Sequence, residues 1–280
     1  MKKKEKLICP ICGAASFQTV FKYAEPPQGE IRFTCSSGGH YYREILRCAT
    51  CSHCVSKHDM DLSCLYGGDY VDSNYGDEKG IERSFNRIIS LDASRSDNAG
   101  RTRRIVDFAA SFFGTSLPHR THLTLLDVGS GIGVFPYAMK KAGWDCTAVE
   151  TDERAVSHAR QAIGVNALHG EFMSVEGLGR YHLVTFNKVL EHVEDPIAML
   201  GKSRANLLRG GFVYVEVPDG EMAEKGGKQR EEFFIDHLHV FSFASTVCLS
   251  KRAGFAPVIV ERLQEPSSKY TIRAFLIPQT

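Results

Sequence analysis

No apolar run in these 280 residues approaches the roughly 20 that a membrane-spanning helix needs, and this argues against a membrane protein. Net charge is also missing. With 34 Lys+Arg against 33 Asp+Glu there is no overall field to recruit nucleic acid or an anionic lipid surface. The N-terminal stretch MKKKEKLICPICG passes from a basic tail directly into polar and cysteine-bearing residues, without the apolar core of a secretory leader, so a cytoplasmic location is expected. Internal repeats and low-complexity tracts are absent too. What remains is a chain long enough for one large domain and a small appendage.

Cysteine, by contrast, is plentiful. Nine is an odd number, and five of them sit in two tight clusters near the N-terminus, which suits metal-held thiolates better than a disulfide framework. The motifs CPIC (Cys9, Cys12) and CATC (Cys48, Cys51) are two C-x-x-C knuckles, able to offer four thiolates to a structural zinc ion. Cys54, Cys35 and His40 are competing ligands, and Cys64, Cys146 and Cys248 are expected to be unpaired. Residues 1–60 therefore read as a small, loop-rich zinc-binding module whose core is too small to fold without its metal.

Residues 61–118 read as a linker followed by a helical cap. The linker is dotted with Tyr and Gly; Tyr70 and Tyr75 read as packing residues, with a lid over the site as the competing reading. In 81–114 the apolar spacing of Ile105, Phe108, Ala109 and Phe112 predicts about two helices before Pro118. From 119 to 280 the pattern alternates strand and helix: LTLLDV, then VFPYAMKKAG, then CTAVE, then a helix opened by Asp152 and closed by Gly164. VNALH and HLVTFN follow as strands, then a helix from Pro196 to Leu208, then FVYVEV. The alternation predicts a parallel sheet wrapped by helices. PVIVERL and YTIRAFLI should pair as an antiparallel hairpin at its edge. The charged stretch between Pro218 and Phe234 reads as a mobile loop.

The segment LLDVGSGIGVF places Asp127 two residues ahead of Gly129, Gly131 and Gly133, at the end of the first strand of this unit. In an open α/β sheet ligands bind beyond the carboxyl ends of the strands. Glycine spacing of G-x-G-x-G puts Val134 where a dinucleotide fingerprint wants its third glycine, so a phosphate-binding oxidoreductase is disfavoured. A carboxylate at Asp127 suits an ammonium or sulfonium better than a pyrophosphate. Glu150 ends the second strand, where an acid accepts ribose hydroxyls. Ribose, ammonium and sulfonium without phosphate describe S-adenosylmethionine. The competing readings are a helix-start partner for Asp127 and a solvated strand end for Glu150.

LLDVGSGIGVFPYAMKKAGWDCTAVETD resembles the first two strands of class I S-adenosylmethionine-dependent methyltransferases, and TFNKVLEHVEDPIAML with LLRGGFVYVEVPD resembles their fourth and fifth. The resemblance implies a Rossmann-like α/β fold, a mostly parallel seven-stranded sheet with a terminal antiparallel hairpin, preceded by the zinc-binding module. It implies a cofactor loop of Gly129, Ser130, Gly131 and Gly133, ribose contacts at Glu150 and Thr151, and a position near the methionine portion for Asp127. Glu171 and Phe172 would flank adenine, and the main chain at Asn187 would meet the amino group.

The segment EEFFIDHLHVFSF resembles an H-L-x-x-F-S segment of small-molecule members, which makes His237 the favoured general base, oriented by Asp236 or Glu232, with His239 in reserve. Glu191 and His192 form a second candidate pair, for substrate or a metal. A histidine satisfied by backbone, or a helix-start polar pair, is the competing reading. RCATCSHCVSKHDMDLSCLYGGDYVDSNY resembles the linker of bacterial methyltransferases with an N-terminal zinc domain, including those acting on sugars, although Ser52 stands where glycine is usual. Nucleotide-sugar C-methyltransferases of that type carry a further C-terminal domain, whereas this chain ends after the hairpin. O- or N-methylation of a sugar or related small metabolite, in surface-polysaccharide or secondary-metabolite synthesis, is the expected activity, with a nucleotide sugar as one candidate acceptor. The rivals are an RNA methyltransferase, kept open by nine basic against five acidic residues in 1–60, and a non-catalytic cofactor-binding partner protein. The sequence leaves the oligomeric state open.

Overall fold

The computed structural model describes residues 7–30, 41–60, 77–114 and 122–279. Cys35, His40, Cys64, Tyr70, Tyr75 and Pro118, named above, lie outside the described residues.

The strands of the described residues form two sheets. The larger has seven strands: β4 (Thr124–Val128), β5 (Asp145–Glu150), β6 (Asn166–His169), β7 (Tyr181–Asn187), β8 (Leu207–Pro218), β10 (Phe255–Gln264) and β11 (Tyr270–Pro278). Their order is β10-β11-β8-β7-β4-β5-β6. The pairs among β6, β5, β4, β7 and β8 are parallel, and the β10–β11 hairpin is antiparallel at the edge. The fold is thus the mostly parallel sheet with a terminal hairpin that the alternation predicts. Chain order reverses at β4, whose neighbours are β5 and β7, so a crevice opens beyond its carboxyl end.

Period-two alternation sorts side chains between two cores on opposite faces of this sheet. Leu126, Val128, Val184, Phe186, Val213, Val215 and Ile272 enter one core. Leu125, Leu183, Phe212, Tyr214 and Phe275 enter the other, under α1 (Glu78–Ile89) and α2 (Asp97–Phe113), which contribute Ile81, Phe85, Ile105 and Phe108. The two helices expected before Pro118 are therefore a layer of the sheet itself. α3 (Val134–Lys141) and α4 (Glu153–His158) complete that layer, and α4 widens into a π turn over Ala159–Ile163 before Gly164 ends it in the left-handed region. Asp152 caps α4 by accepting from the main-chain N–H groups of Arg154 and Ala155.

Two expected elements differ. α5 (Pro196–Lys202) stops six residues short of Leu208, because Ser203–Asn206 tighten into a 3-10 turn and Leu207 pairs with Tyr181 at the start of β8. Sheet pairing there overrides the helical propensity of the two leucines. The charged segment after Pro218 is not a loop throughout. Asp219 caps α6 (Gly220–Gly226), buried Ala223 and Phe233 anchor the stretch, and Arg230 pairs with Glu232.

The cysteine-bearing region holds more strand than its loop-rich composition suggests. β1 (Phe17–Tyr23), β2 (Arg43–Cys48) and β3 (Cys54–His58) form an antiparallel sheet, and β9 (His239–Val240) adds its fourth strand from nearly 200 residues away. Buried Arg43 donates to the carboxylate of Glu30 at 2.7 Å, and that same carboxylate accepts from the Ile235 main-chain N–H at 2.7 Å. α7 (Phe243–Arg252) closes the contact: Ser242 Oγ donates to the Cys51 carbonyl, and Arg252 donates to the carbonyls of Pro10 and Ile11 at 2.8 Å each.

Candidate active site

At the carboxyl end of β4 the three loop glycines do different things. All have positive φ, at 67°, 51° and 81° for Gly129, Gly131 and Gly133. A Cβ on Gly129 would lie 2.7 Å from Val189 and one on Gly133 2.5 Å from Ile163, whereas a Cβ on Gly131 would meet nothing within 4 Å among the described residues. Gly129 and Gly133 thus serve packing as well as the turn, and Gly131 is the one that borders open space. Its N–H donates to Glu150 Oε2 at 2.7 Å, tying the loop to the end of β5, while Glu150 Oε1 accepts from the Thr151 main-chain N–H at 2.7 Å.

Alternation sends Asp127, Thr185 and Glu216 to one face at the same end of the sheet. Asp127 is buried, and its Oδ1 accepts from Thr185 Oγ1 at 2.6 Å and from Asn187 Nδ2 at 2.8 Å. Burial raises its pKa to about 7, outweighing those two hydrogen bonds. Thr185 and Asn187 hold the carboxyl group in place. Asn187 Oδ1 is buried with no hydrogen-bond partner among the described residues, and so is Ser130 Oγ. Both are vacant polar positions beside the crevice. Phe172 is buried against Phe186, with Lys202 Nζ 5.3 Å from its ring, and Glu171 beside it is exposed.

Below these lies a network that the sequence pattern does not announce. Glu216, fully buried, receives a two-pronged contact from Arg101 of α2 and a hydrogen bond from Tyr214 at 2.8 Å. Burial raises the pKa of this carboxyl, but the charge and hydrogen bonds of Arg101 win and leave it at about 2. Lys188, left-handed at φ 59°, follows β7 directly and donates from Nζ to Thr271 at 2.7 Å. Burial holds its ammonium below the usual lysine pKa.

Glu191, His192 and His237 converge beyond β7 and β8. One ligand atom from each lies within 4.8 Å of the other two, and the two imidazole centroids are 4.9 Å apart. His237 Nδ1 lies 2.8 Å from the Glu232 carbonyl, and His192 Nδ1 lies 2.8 Å from the Asp236 carbonyl. A carbonyl only accepts, so each Nδ1 carries a proton and donates it to that carbonyl. The orienting group for His237 is thus the Glu232 main chain, not its carboxylate, which is engaged with Arg230 and the Tyr270 N–H. Asp236 Oδ2 stands 3.9 Å from His237 Nε2. His239 is placed elsewhere: it is buried, with Nδ1 3.0 Å from His53 Nε2, and burial lowers the pKa of both rings.

At the other pole, Cys9, Cys12, Cys48 and Cys51 bring their four Sγ atoms within 4.8 Å of one another. The Cys9–Cys51 and Cys12–Cys48 separations are 3.7 and 3.5 Å, close to the roughly 3.8 Å edge of a tetrahedron of sulfurs around zinc. The donor set and spacing fit that ion. Cys54 points elsewhere, its Sγ 3.8 Å from the Ser52 carbonyl, and Ser52 takes the left-handed conformation at φ 56° that glycine would adopt without strain.

Residues 96–260 match the family model described as a methyltransferase domain. The chain belongs to that family. Among curated relatives, this methyltransferase is 33% identical over 97 residues to a ubiquinone biosynthesis O-methyltransferase of Bordetella avium, the match covering 32% of this chain and 40% of that protein. It is 34% identical over 100 residues to the protein of the same description in Caulobacter vibrioides, covering 33% and 40%. The match thus spans well under half the length of these relatives. Among solved structures, the 1,6-didemethyltoxoflavin-N1-methyltransferase of Burkholderia thailandensis shares the fold at a TM-score of 0.55 with 16% identity, over 90% of this chain and 100% of that one. The magnesium protoporphyrin IX methyltransferase of Synechocystis PCC 6803 does so at 0.54 with 16% identity, over 79% and 100%. The fold is that of class I methyltransferases.

Arg101, Tyr214, Glu216, Thr185, Lys188 and His53 were not singled out by sequence reasoning. A charged residue inside the apolar run FVYVEV was the one available signal, since an unpaired acid there is too costly to bury.

Proposed function

We propose that this protein uses S-adenosylmethionine to methylate an oxygen or nitrogen of a small molecule, with a sugar or related metabolite as the acceptor class. The observation that carries the reading is the crevice beyond β4. There Gly131 borders open space, the Glu150 carboxylate closes the loop, and Asn187 Oδ1 waits buried for a donor. An adenosyl compound with a ribose and an ammonium, and without phosphates, suits that set. When bound, the cofactor supplies an activated methyl group and its own leaving group.

The chain's residues then divide the remaining work. Glu150 and Thr151 receive the ribose, Asp127 and Asn187 face the amino-acid portion through their shared hydrogen bond, and Phe172 with Glu171 borders the base. The Glu191–His192–His237 cluster activates the acceptor, at the same end of the sheet. The O-methyltransferase relatives support oxygen as the acceptor atom. Four cysteines hold a structural zinc ion in this reading and fix the β1–β3 sheet against β9, which begins two residues after His237.

Calorimetry with adenosylhomocysteine, followed by turnover with labelled cofactor on a panel of nucleotide sugars and small phenols, tests this. Binding of adenosylhomocysteine, with methylation of one acceptor class, is expected. Tight uptake of a nicotinamide dinucleotide with none of adenosylhomocysteine would remove the reading. Turnover should vanish in His237→Gln with adenosylhomocysteine affinity unchanged.

A further inference from the structure

We propose that Glu30 and Arg43 of the cysteine-bearing module are positioning residues for His237, setting its ring through the main chain of residues 232–236. The proposal rests on the methyl-transfer reading above and gives the module a part in that chemistry beyond bracing the fold.

His237 is oriented by main chain. Its Nδ1 lies 2.8 Å from the Glu232 carbonyl, which belongs to the segment between the 3-10 turn at Glu231–Phe233 and β9. With the proton on Nδ1, Nε2 is the ring atom able to take one from an acceptor. The direction of Nε2 therefore follows the position of the Glu232 carbonyl. Phe234 to Leu238 belong to neither helix nor strand, so no regular ladder fixes the segment after Phe233.

The module supplies the grip instead. Arg43, fully buried in β2, donates from one guanidinium nitrogen to the Phe233 carbonyl at 2.5 Å and from another to Glu30 Oε1 at 2.7 Å. That oxygen of Glu30 also accepts from the Ile235 main-chain N–H at 2.7 Å. One ion pair thus clamps main-chain atoms on both sides of Phe234, just after the carbonyl that holds His237. Tyr41 aims the pair: its hydroxyl accepts from Arg43 Nε at 2.6 Å and donates to Glu30 Oε2 at 2.5 Å. Every charged group of the clamp is therefore satisfied and directed.

Docking of the module does not account for this pair. Phe21 and Phe233 already pack edge to face at 5.2 Å, and Tyr23, Ile45 and Val240 fill the same contact. A buried ion pair gives little net stability over apolar side chains of similar volume, but it is directional. Its directions end here on the two main-chain atoms that set residues 232–236. A catalytic group displaced by about 1 Å can lose on the order of a hundredfold in rate, so the clamp has a chemical consequence.

Nuclear magnetic resonance of the full chain, with ¹⁵N in its histidine rings, shows which nitrogen of each ring carries the proton, and single histidine replacements assign the signals. Wild-type protein should show His237 in the Nδ1–H form alone. Glu30→Gln combined with Arg43→Met removes both charges together, so that neither is stranded. In that variant the Nδ1–H form of His237 should give way to a mixture with Nε2–H. The signals of His53 and His239, whose ring nitrogens stand 3.0 Å apart where the module meets β9, should stay unchanged. Turnover on the panel of nucleotide sugars and small phenols should fall at least about tenfold, with adenosylhomocysteine affinity unchanged. Arg43→Lys keeps the charge facing Glu30 and drops the prong to Phe233, and it decides the matter if the double variant loses the His53 and His239 signals. A wild-type His237 without the Nδ1–H form overturns the proposal, as does a His237 signal that in neither variant moves separately from those of His53 and His239. Undiminished turnover in a variant whose His237 has changed form overturns it too. Wild-type protein that binds no adenosylhomocysteine loses the methyl-transfer reading, whereas an unmoved His237 in protein that does bind it removes only the clamp.

Discussion

Two clusters of ligand-type side chains sit at opposite poles of β3 and β9, and they are built on opposite principles. Cys9, Cys12, Cys48 and Cys51 are four soft donors, three of them buried, with sulfurs already spaced for a tetrahedron and knuckles pinned by Arg252 and Ser242. Nothing is left for a substrate to bind. Glu191, His192 and His237 are harder donors, fewer by one, with two partly exposed rings. A closed set of four thiols suits a structural ion, and an open set of three suits chemistry.

The largest effect should come from breaking the closed cluster. Cys48→Ser combined with Cys51→Ser should abolish stoichiometric zinc and unfold the β1–β3 sheet, since structural zinc contributes on the order of 10 kcal/mol in small modules. Elemental analysis and circular dichroism read this directly, and stoichiometric zinc surviving the double change refutes the assignment.

Next is the network under the open end. Arg101→Met strands Glu216 in the core and should cost about 3–5 kcal/mol in urea unfolding at neutral pH. Glu216 has a folded pKa near 2, below its unfolded value, so its stabilisation is full above about pH 4.5 and fades as pH falls through about 2. The gap between wild type and variant should therefore narrow in acid. A gap independent of pH would show that Arg101 acts through packing instead.

Asp127 has the opposite sign. Its folded pKa, about 7, exceeds the unfolded value of about 3.9, so the contribution is present below pH 4 and is lost as pH rises through 7. Asp127→Asn should flatten that decline, by the order of a few kcal/mol between pH 4 and 8, and an unchanged slope would contradict it. The smallest effect belongs to the closed cluster again. Ser52→Gly should relieve the left-handed strain at φ 56° and stabilise by about 1 kcal/mol, seen as a small rise in Tm.

Much of the catalytic unit is legible in the sequence because its signals are local. Asp152 and Gly164 bracket a helix, the strands are continuous apolar runs, and the two β-rich tail segments pair as expected. Glycine spacing located the crevice, though not which glycine faces it. That depended on Val189 and Ile163, which lie 60 and 30 residues further along the chain. The helix expected to reach Leu208 failed for a similar reason, since partnership with Tyr181 decided where β8 begins.

What the sequence determined by itself were the features carried by neighbours in the chain: the period of strands and helices, the caps, the two cysteine knuckles and the acid–glycine loop. Only the tertiary structure decided which polar groups share a buried space. It joined Arg101 to Glu216, turned His239 toward His53, and set Glu191 beside His237. A buried charge is stabilised or stranded by whatever lies within a few ångströms, and that neighbourhood is a property of folded space that no local pattern encodes.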